Sequence, residues 1–125
     1  MKTLLASIFF TLTLPACSKN GDDAQPAFVI SGLWEGKIGT GSVTPSGQYV
    51  LSIKPGGVIE RVNTNKSVTA TGNWQLSGNN FTATYNYSNG TVVNVTGTID
   101  KEENKLIATW ENNGNEQGTL FIHKQ

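Results

Sequence analysis

The chain has 125 residues, of which 14% are charged, and its nine lysine and arginine residues balance nine acidic residues. This length is enough for one hydrophobic core, and the balanced charge argues against nucleic acid as a partner. The single cysteine, Cys17, excludes an intrachain disulfide and a cysteine-built zinc site. Fourteen glycines, with abundant threonine and asparagine, favour strands joined by tight turns.

The N-terminal segment has the pattern of an export signal. Lys2 supplies a positive charge, and residues 4–14 form an apolar run broken only by serine and threonine. The run is shorter than the roughly twenty residues that a membrane-spanning helix needs, but it fits a secretory signal peptide. Residues 14–17, Leu-Pro-Ala-Cys, resemble the lipobox of bacterial lipoproteins. The resemblance implies that the signal peptide, residues 1–16, is removed and that Cys17 is lipidated.

Lipidation of Cys17 predicts a membrane partner, because each buried methylene of an acyl chain contributes about 0.8 kcal/mol. The alternative is an ordinary secreted protein cleaved after Ala16. Residues 17–28 lack apolar periodicity, which predicts a flexible tether. Ser18 is similar to the residue after the cysteine in outer-membrane lipoproteins, and the acidic pair at 22–23 resembles the surface-export signal of Bacteroidetes-type lipoproteins. We therefore expect an exported protein on the outer membrane, at its periplasmic face or at the cell surface.

Residues 29–125 alternate apolar and polar side chains over short segments separated by turn clusters, which predicts an all-β domain. The first predicted strand, residues 30–38, contains Gly-x-Trp at 32–34, and the same tripeptide pattern recurs at 72–74. The further strands are predicted around residues 49–53, 58–62, 68–76, 81–87, 93–99, 106–110 and 120–122.

About eight strands with hairpin-length connections favour a small antiparallel up-and-down β-barrel. The pair Asn89-Gly90 predicts a two-residue type I′ turn. Polar residues at the outer positions argue against a barrel that spans a membrane. The register of the third strand stays open: one register buries Glu60, whose carboxylate would need a partner, and the other buries Ile59 and Arg61.

The Gly-x-Trp at the first strand of a short eight-stranded barrel resembles the calycin group, which comprises lipocalins, fatty-acid-binding proteins and avidins. In lipocalins the first-strand tryptophan packs beneath an arginine near the last strand. Trp34 matches that tryptophan, whereas Arg61 is the only arginine and lies elsewhere, so that Lys124 would have to substitute in part. The likeness covers residues 30–124 as a pattern and is nearest to small lipocalin-like domains of bacterial lipoproteins.

Catalytic chemistry is not predicted. His123 is the only histidine and is expected on the outer face, so neither a metal site nor a Ser-His-Asp set is expected. Glu35 and Glu111 each follow a tryptophan and form a candidate carboxylate pair, but period two places both outside the barrel. We expect no enzymatic activity, no cofactor and no metal.

The remaining candidates for function are inward aromatic residues. With inward glycines that leave space, they predict a monomeric binding module for a small apolar or flat ligand, oriented by tyrosine hydroxyls near an open end. If the side chains instead fill the barrel, the 39–46 loop becomes the contact surface for a protein partner, as in protease-inhibitor barrels of similar size. Sugar binding is a third alternative. The candidate ligand-binding residues are Trp34, Tyr49, Trp74, Tyr85, Tyr87 and Trp110.

Overall fold

Eight antiparallel strands close into a barrel in the computed structural model, which describes residues 27–125. Each strand pairs with the next along the chain, and β8 pairs with β1, so the predicted up-and-down topology is confirmed. Within the described residues, no helix has the length and hydropathy needed to cross a membrane. The strands are β1 (Gly32–Thr40), β2 (Gly47–Lys54), β3 (Val58–Val62), β4 (Val68–Ser77), β5 (Asn80–Tyr87), β6 (Val92–Asp100), β7 (Lys105–Asn112) and β8 (Gln117–Lys124).

Several predictions concern residues outside the described part of the chain. These are the signal peptide at 1–16, the lipidation of Cys17 and the tether up to residue 26. Of the predicted tether only its last two residues are described, and Phe28 already packs against the core. The Nζ atom of Lys101 lies 5.8 Å from the centre of the Phe28 ring.

The alternation of side chains decides which face of each strand is buried. Buried and exposed residues alternate along β5 and β7, as period-two patterning requires. The inward face is apolar along nearly every strand, so the core lies inside the barrel. The largest completely buried side chains are Trp34, Tyr85, Phe81, Leu51, Ile53, Ile59, Ile99, Leu106, Leu120 and Val95.

The barrel has two ends, because consecutive antiparallel strands place alternate turns on opposite sides. We call one the plugged end; it carries residues 27–31, the turns 55–57, 78–79 and 101–104, and the C-terminus. We call the other the loop end; it carries the turns 41–46, 63–67, 88–91 and 113–116.

The plugged end is tied to the N-terminal segment by hydrogen bonds. Trp34, completely buried, donates from Nε1 to the carbonyl of Ile30 at 2.8 Å. Lys124 lies opposite Trp34 on β8 and donates from Nζ to the carbonyl of Val29 at 2.7 Å. Lys124 therefore lies on the strand position opposite Trp34, and its ammonium binds a backbone carbonyl.

Inward glycines allow neighbouring strands to approach each other closely. A Cβ at Gly36 would lie 2.0 Å from the carbonyl oxygen of Phe121, and one at Gly72 would lie 1.8 Å from that of Thr84. Gly97 and Gly118 are equally crowded by backbone oxygens. The expectation that inward glycines leave room for a ligand is therefore wrong at Gly36, Gly72 and Gly97, because backbone fills that space.

Each of these glycines lies directly opposite an aromatic residue on an adjacent strand. An aromatic side chain next to a glycine can cover the position that has no side chain of its own. The repeated pairing thus fills the barrel while letting its strands bend. The pairs are Gly36 with Tyr49, Gly72 with Tyr85, Gly97 with Phe81 and Gly118 with Trp110.

The hairpin at Asn89-Gly90 forms where predicted, but its turn type is different. Only Gly90 has a positive φ, of 93°, and its N–H donates to the carbonyl of Tyr87 at 3.1 Å. This is the pattern of a type I turn followed by a left-handed residue, whereas type I′ needs positive φ at both central residues. The turns that begin at Asn63 and Asn112 repeat the pattern.

Candidate functional site

The structure brings three of the predicted ligand-binding residues together inside the barrel. Tyr49 on β2 and Tyr85 on β5 are buried, with 6% and 0% of their surfaces exposed, and their hydroxyls share a hydrogen bond. The ring of Tyr87 lies 6.2 Å from that of Tyr85, tilted by 57°. The tyrosines therefore form one polar group within an otherwise apolar core.

Arg61 joins this group, because β3 adopts the register that turns Ile59 and Arg61 inward, with Ile59 buried and Arg61 half-buried. Its guanidinium carbon lies 4.0 Å from the centre of the Tyr49 ring, a cation–π geometry. Glu60 points outward and pairs with Lys54 at 3.2 Å. We call Tyr49, Arg61, Tyr85 and Tyr87 the tyrosine–arginine cluster.

The guanidinium of Arg61 is incompletely satisfied. One terminal nitrogen donates to the carbonyl of Val62, but Nε is buried and has no hydrogen-bond partner among the residues that the structure describes. Across residues 27–125 the ion pairs are Lys54–Glu60 and Glu103–Lys105, and neither involves Arg61. The cluster thus contains a cation without a carboxylate partner.

Burial sets the protonation of the tyrosines. Desolvation raises the pKa of Tyr49 far above its ordinary value, with further increases from Tyr85 and Tyr87. Desolvation also raises the pKa of Tyr85, although its hydrogen bond with Tyr49 and the charge of Arg61 lower it. Both hydroxyls are therefore neutral at physiological pH, and Arg61 gives the cluster a net positive charge.

The cluster lies towards the loop end. Tyr87 is the last residue of β5, and Arg61 is the last but one of β3. Pairing between β3 and β4 shifts beside Arg61, which faces Ala70 while its neighbour Val62 faces Val68. Thr69 is therefore an extra residue in β4, and such bulges redirect nearby side chains.

The tryptophans are engaged elsewhere. Trp74 donates from Nε1 to the carbonyl of Lys54 at 2.8 Å, and its ring stacks on Phe81 at 6.4 Å between centroids. Trp110 donates to the carbonyl of Gly39 at 3.0 Å. Together with the bond from Trp34 to Ile30, these contacts commit all three indole N–H groups to backbone carbonyls. Their observed role is to join segments of the barrel.

The candidate carboxylate pair is not assembled. Glu35 accepts a hydrogen bond from Gln48 at 2.6 Å on the outer face. Glu35 pairs with His123, whereas Glu111 pairs with Gln117 at the opposite end of β8. His123 is exposed, and residues 27–125 contain no group of three or more His, Cys, Asp or Glu side chains placed to hold a metal ion.

Open depressions lie on the described part of the molecule. One of about 610 Å³ borders Phe28 and Lys124 at the plugged end. Others of about 440, 330 and 220 Å³ border the outer surfaces of β6–β8, β7–β8 and β4–β5. None of the four is lined by the tyrosine–arginine cluster, so the polar group inside the barrel is a separate feature.

The fold and site together define a closed eight-stranded antiparallel barrel with a partly buried tyrosine–arginine cluster. Comparison of the chain with protein-family models, curated proteins and solved structures finds no match. The chemistry of the cluster is therefore the basis for assigning a function. Neutral hydroxyls can donate and accept hydrogen bonds, while the guanidinium offers a planar fork of donors.

Proposed function

We propose that the protein is an exported, lipid-anchored binding module of the cell envelope, without enzymatic activity. Its lipocalin-like barrel takes a small ligand at the loop end, in contact with the tyrosine–arginine cluster. The observation that carries this proposal is the buried Nε of Arg61, for which residues 27–125 supply no hydrogen-bond acceptor. A buried unsatisfied donor costs about 1–3 kcal/mol, and a ligand that accepts its hydrogen bond removes that cost.

The surroundings of the cluster favour a ligand of limited size. The glycine–aromatic pairs fill the middle of the barrel. Arg61 and Tyr87 remain partly exposed at the ends of their strands. The ligand therefore enters from the loop end and lies above the packed core, with its polar group directed towards Arg61.

The lipobox-like residues 14–17 and the acidic pair at 22–23 support membrane attachment through Cys17, as in Bacteroidetes-type lipoproteins. The anchor holds the monomeric barrel at the outer membrane, on its periplasmic face or at the cell surface. Intact mass spectrometry tests this part: acyl chains on Cys17 support it, and an unmodified mature thiol contradicts it.

Native mass spectrometry of the protein, purified in mild detergent from its own host, tests the binding function. We expect an adduct of small mass that is lost in the double variant Tyr49→Phe/Tyr85→Phe, which removes two hydroxyls and keeps the rings. Trp74→Phe at the plugged end is the control and should keep the adduct. A bare wild-type mass, together with a crystal structure in which only water contacts Arg61, would contradict ligand binding.

A second function is favoured by the same filled interior. Val43, in the 41–46 turn, is 64% exposed, so the loop end presents an apolar contact for a protein such as a protease. Under this alternative, Val43→Asp abolishes inhibition of the target protease. Val29→Asp, at the plugged end, leaves inhibition unchanged, and equal effects of the two variants would argue against a loop-end contact.

A further inference from the structure

Two large apolar side chains are exposed next to each other on the outer face of the barrel. Ile107 on β7 and Phe121 on β8 are directly opposite each other, with 57% and 47% of their surfaces exposed. They border an open depression of about 330 Å³, which Lys105 and His123 border on the side of the plugged end. We call Ile107, Phe121 and this depression the β7–β8 patch. Adjacent exposed apolar side chains with a polar margin are typical of a contact surface.

The N-terminal segment joins the barrel on the same side as this patch. Phe28 lies against Lys101 in the turn between β6 and β7, and the carbonyl of Val29 accepts a hydrogen bond from Lys124 at the end of β8. Phe121 precedes Lys124 by three residues, a distance of about 10 Å along a strand. Val29 is itself exposed, so it adds an apolar side chain at the corner where the described chain begins.

The length of the preceding chain limits the distance between this corner and a lipid anchor. Cys17 precedes Ala27 by ten residues, and an extended chain spans at most about 3.3–3.6 Å per residue. A lipidated Cys17 therefore holds Ala27 within about 35 Å of the membrane. Such a short connection presents the β7–β8 patch to lipid at a high effective concentration, so even a weak contact is populated. Val43, by contrast, lies at the opposite end of the barrel.

The charges around the patch are balanced. Lys37 lies opposite Phe121 on β1, and Glu35 follows on the same outer face of that strand. Lys105 pairs with Glu103 at 3.6 Å. The patch is therefore suited to apolar contact with lipid and does not depend on attraction to anionic headgroups.

We propose that the β7–β8 patch docks on the membrane surface, with Ile107 and Phe121 inserted at the boundary between lipid headgroups and acyl chains. This inference rests on the proposed lipid anchor and specifies which face of the barrel contacts the membrane. The neighbouring lysines keep their ammonium groups at the level of the lipid phosphates, while their stems lie along apolar surface. β4 is four strands away around the ring of eight, so its outer face is turned away from the membrane.

Nitroxide labels on the outer face test this orientation. The protein is purified in mild detergent from its own host and reconstituted in vesicles of phosphatidylcholine, a lipid without net charge. Thr98→Cys places a label directly opposite Ile107, and Thr71→Cys places the matched control on β4; both threonines are exposed. We expect the label at residue 98 to lose collisions with a water-soluble nickel complex and to keep collisions with oxygen, which dissolves in lipid. The label at residue 71 should keep its access to nickel.

A second substitution shows whether the apolar pair causes the contact. Phe121→Ser, combined with Thr98→Cys, should restore nickel access at residue 98 because the inserted ring is lost. Val58→Ser is the matched control, since Val58 is exposed at the plugged end but lies on β3. It should leave the loss of nickel access at residue 98 unchanged. Circular dichroism spectra establish that each variant is folded before its label is compared.

The number of labels per chain separates this inference from the anchor on which it rests. An acylated Cys17 cannot react with the nitroxide reagent, so one label per chain is expected. One label per chain with equal nickel access at residues 98 and 71 overturns the docking face and leaves the anchor in place. Two labels per chain contradict the anchor: with equal access they overturn both proposals, and with access lost only at residue 98 they overturn the anchor alone.

A second copy of the chain is the competing occupant of the patch. Dipolar coupling between labels at residue 98 of two molecules, present without vesicles, would assign the patch to a dimer and overturn the membrane contact. Labels at residue 98 that show no such coupling and lose nickel access only when vesicles are added support the membrane.

Discussion

The two ends of the barrel differ in how far their polar side chains are satisfied by hydrogen bonds. At the plugged end, the indole N–H groups of Trp34 and Trp74 both donate to backbone carbonyls, and Lys124 does the same. At the loop end, Trp110 likewise donates to the carbonyl of Gly39, but the buried Nε of Arg61 has no acceptor among residues 27–125. Within the described part of the chain, these donors of the plugged end are thus satisfied, while the loop end has one donor without an acceptor and one cation without a carboxylate partner.

This difference suggests a division of roles, in which the plugged end stabilises the barrel and the loop end binds a partner. Satisfied donors close the plugged end and fix the first strand. An unsatisfied donor is a cost to folding, and native proteins keep such costs mainly where they serve a function. Four measurements can break or sharpen this division.

The largest effect is expected from Trp34→Ala at the plugged end. It removes a completely buried indole and its bond to Ile30, so the free energy of unfolding should fall by about 3–5 kcal/mol. Urea denaturation measures this, with Phe121→Ala, a 47% exposed site on the outer face, as the control. A loss no greater than that of the control would mean that the plugged end does not hold the barrel together.

Alkaline pH should lower the stability of the protein through the buried tyrosines near the loop end. Tyr49 and Tyr85 have folded pKa values raised above the ordinary value of 10.0. Each therefore contributes stability that is present below pH 10 and lost as pH rises above it, by up to about 1.4 kcal/mol per pH unit. Denaturation between pH 9 and about pH 11 should show a steeper fall for the wild type than for Tyr49→Phe/Tyr85→Phe. Parallel slopes would contradict the burial of these hydroxyls.

Gly72→Ala tests the close approach of neighbouring strands in the middle of the barrel. The new Cβ would lie 1.8 Å from the carbonyl oxygen of Thr84, so the strands must separate and the unfolding free energy should fall by about 1–3 kcal/mol. Gly47→Ala is the matched control, because its Cβ would meet Ile38 at an ordinary 3.5 Å. Equal thermal midpoints for the two variants would show that the close approach at Gly72 is unimportant.

The smallest effect, and the only one of opposite sign, is expected from Arg61→Met. Methionine fills a similar volume without a buried donor or charge, so the ligand-free protein should be unchanged or more stable by about 1 kcal/mol. Thermal unfolding of ligand-free protein measures the difference. Marked destabilisation would place Arg61 with the structural residues of the plugged end and would remove the distinction between the ends.

Much of the fold follows from local sequence. Period-two alternation located all eight strands, and Val58–Val62 was placed at its observed boundaries. The open register of β3 could also have been decided from its turn. Lys54 and Val58 flank the 55–57 turn as partners, which sets Ile53 opposite Ile59 on the inner face and therefore turns Arg61 inward.

The site was only partly predictable. Alternation identified Tyr49, Tyr85 and Tyr87 as inward, but their meeting depends on the stagger of strands around a closed barrel, which no single segment contains. The inward glycines were misread because an absent side chain leaves space only if neighbouring backbone stays away. Gly36 and Gly72 instead permit that backbone to approach.

The pairing of β1 with β8 has a consequence for the order of folding. These strands are almost the whole barrel apart in sequence, yet they align from Trp34–Lys124 to Thr40–Gly118. Contacts of such long sequence separation form slowly, and until β8 arrives the partial sheet has two free edges open to wrong pairing. β8 is therefore the strand that closes the barrel, and a chain interrupted before residue 117 cannot close its ring of hydrogen bonds.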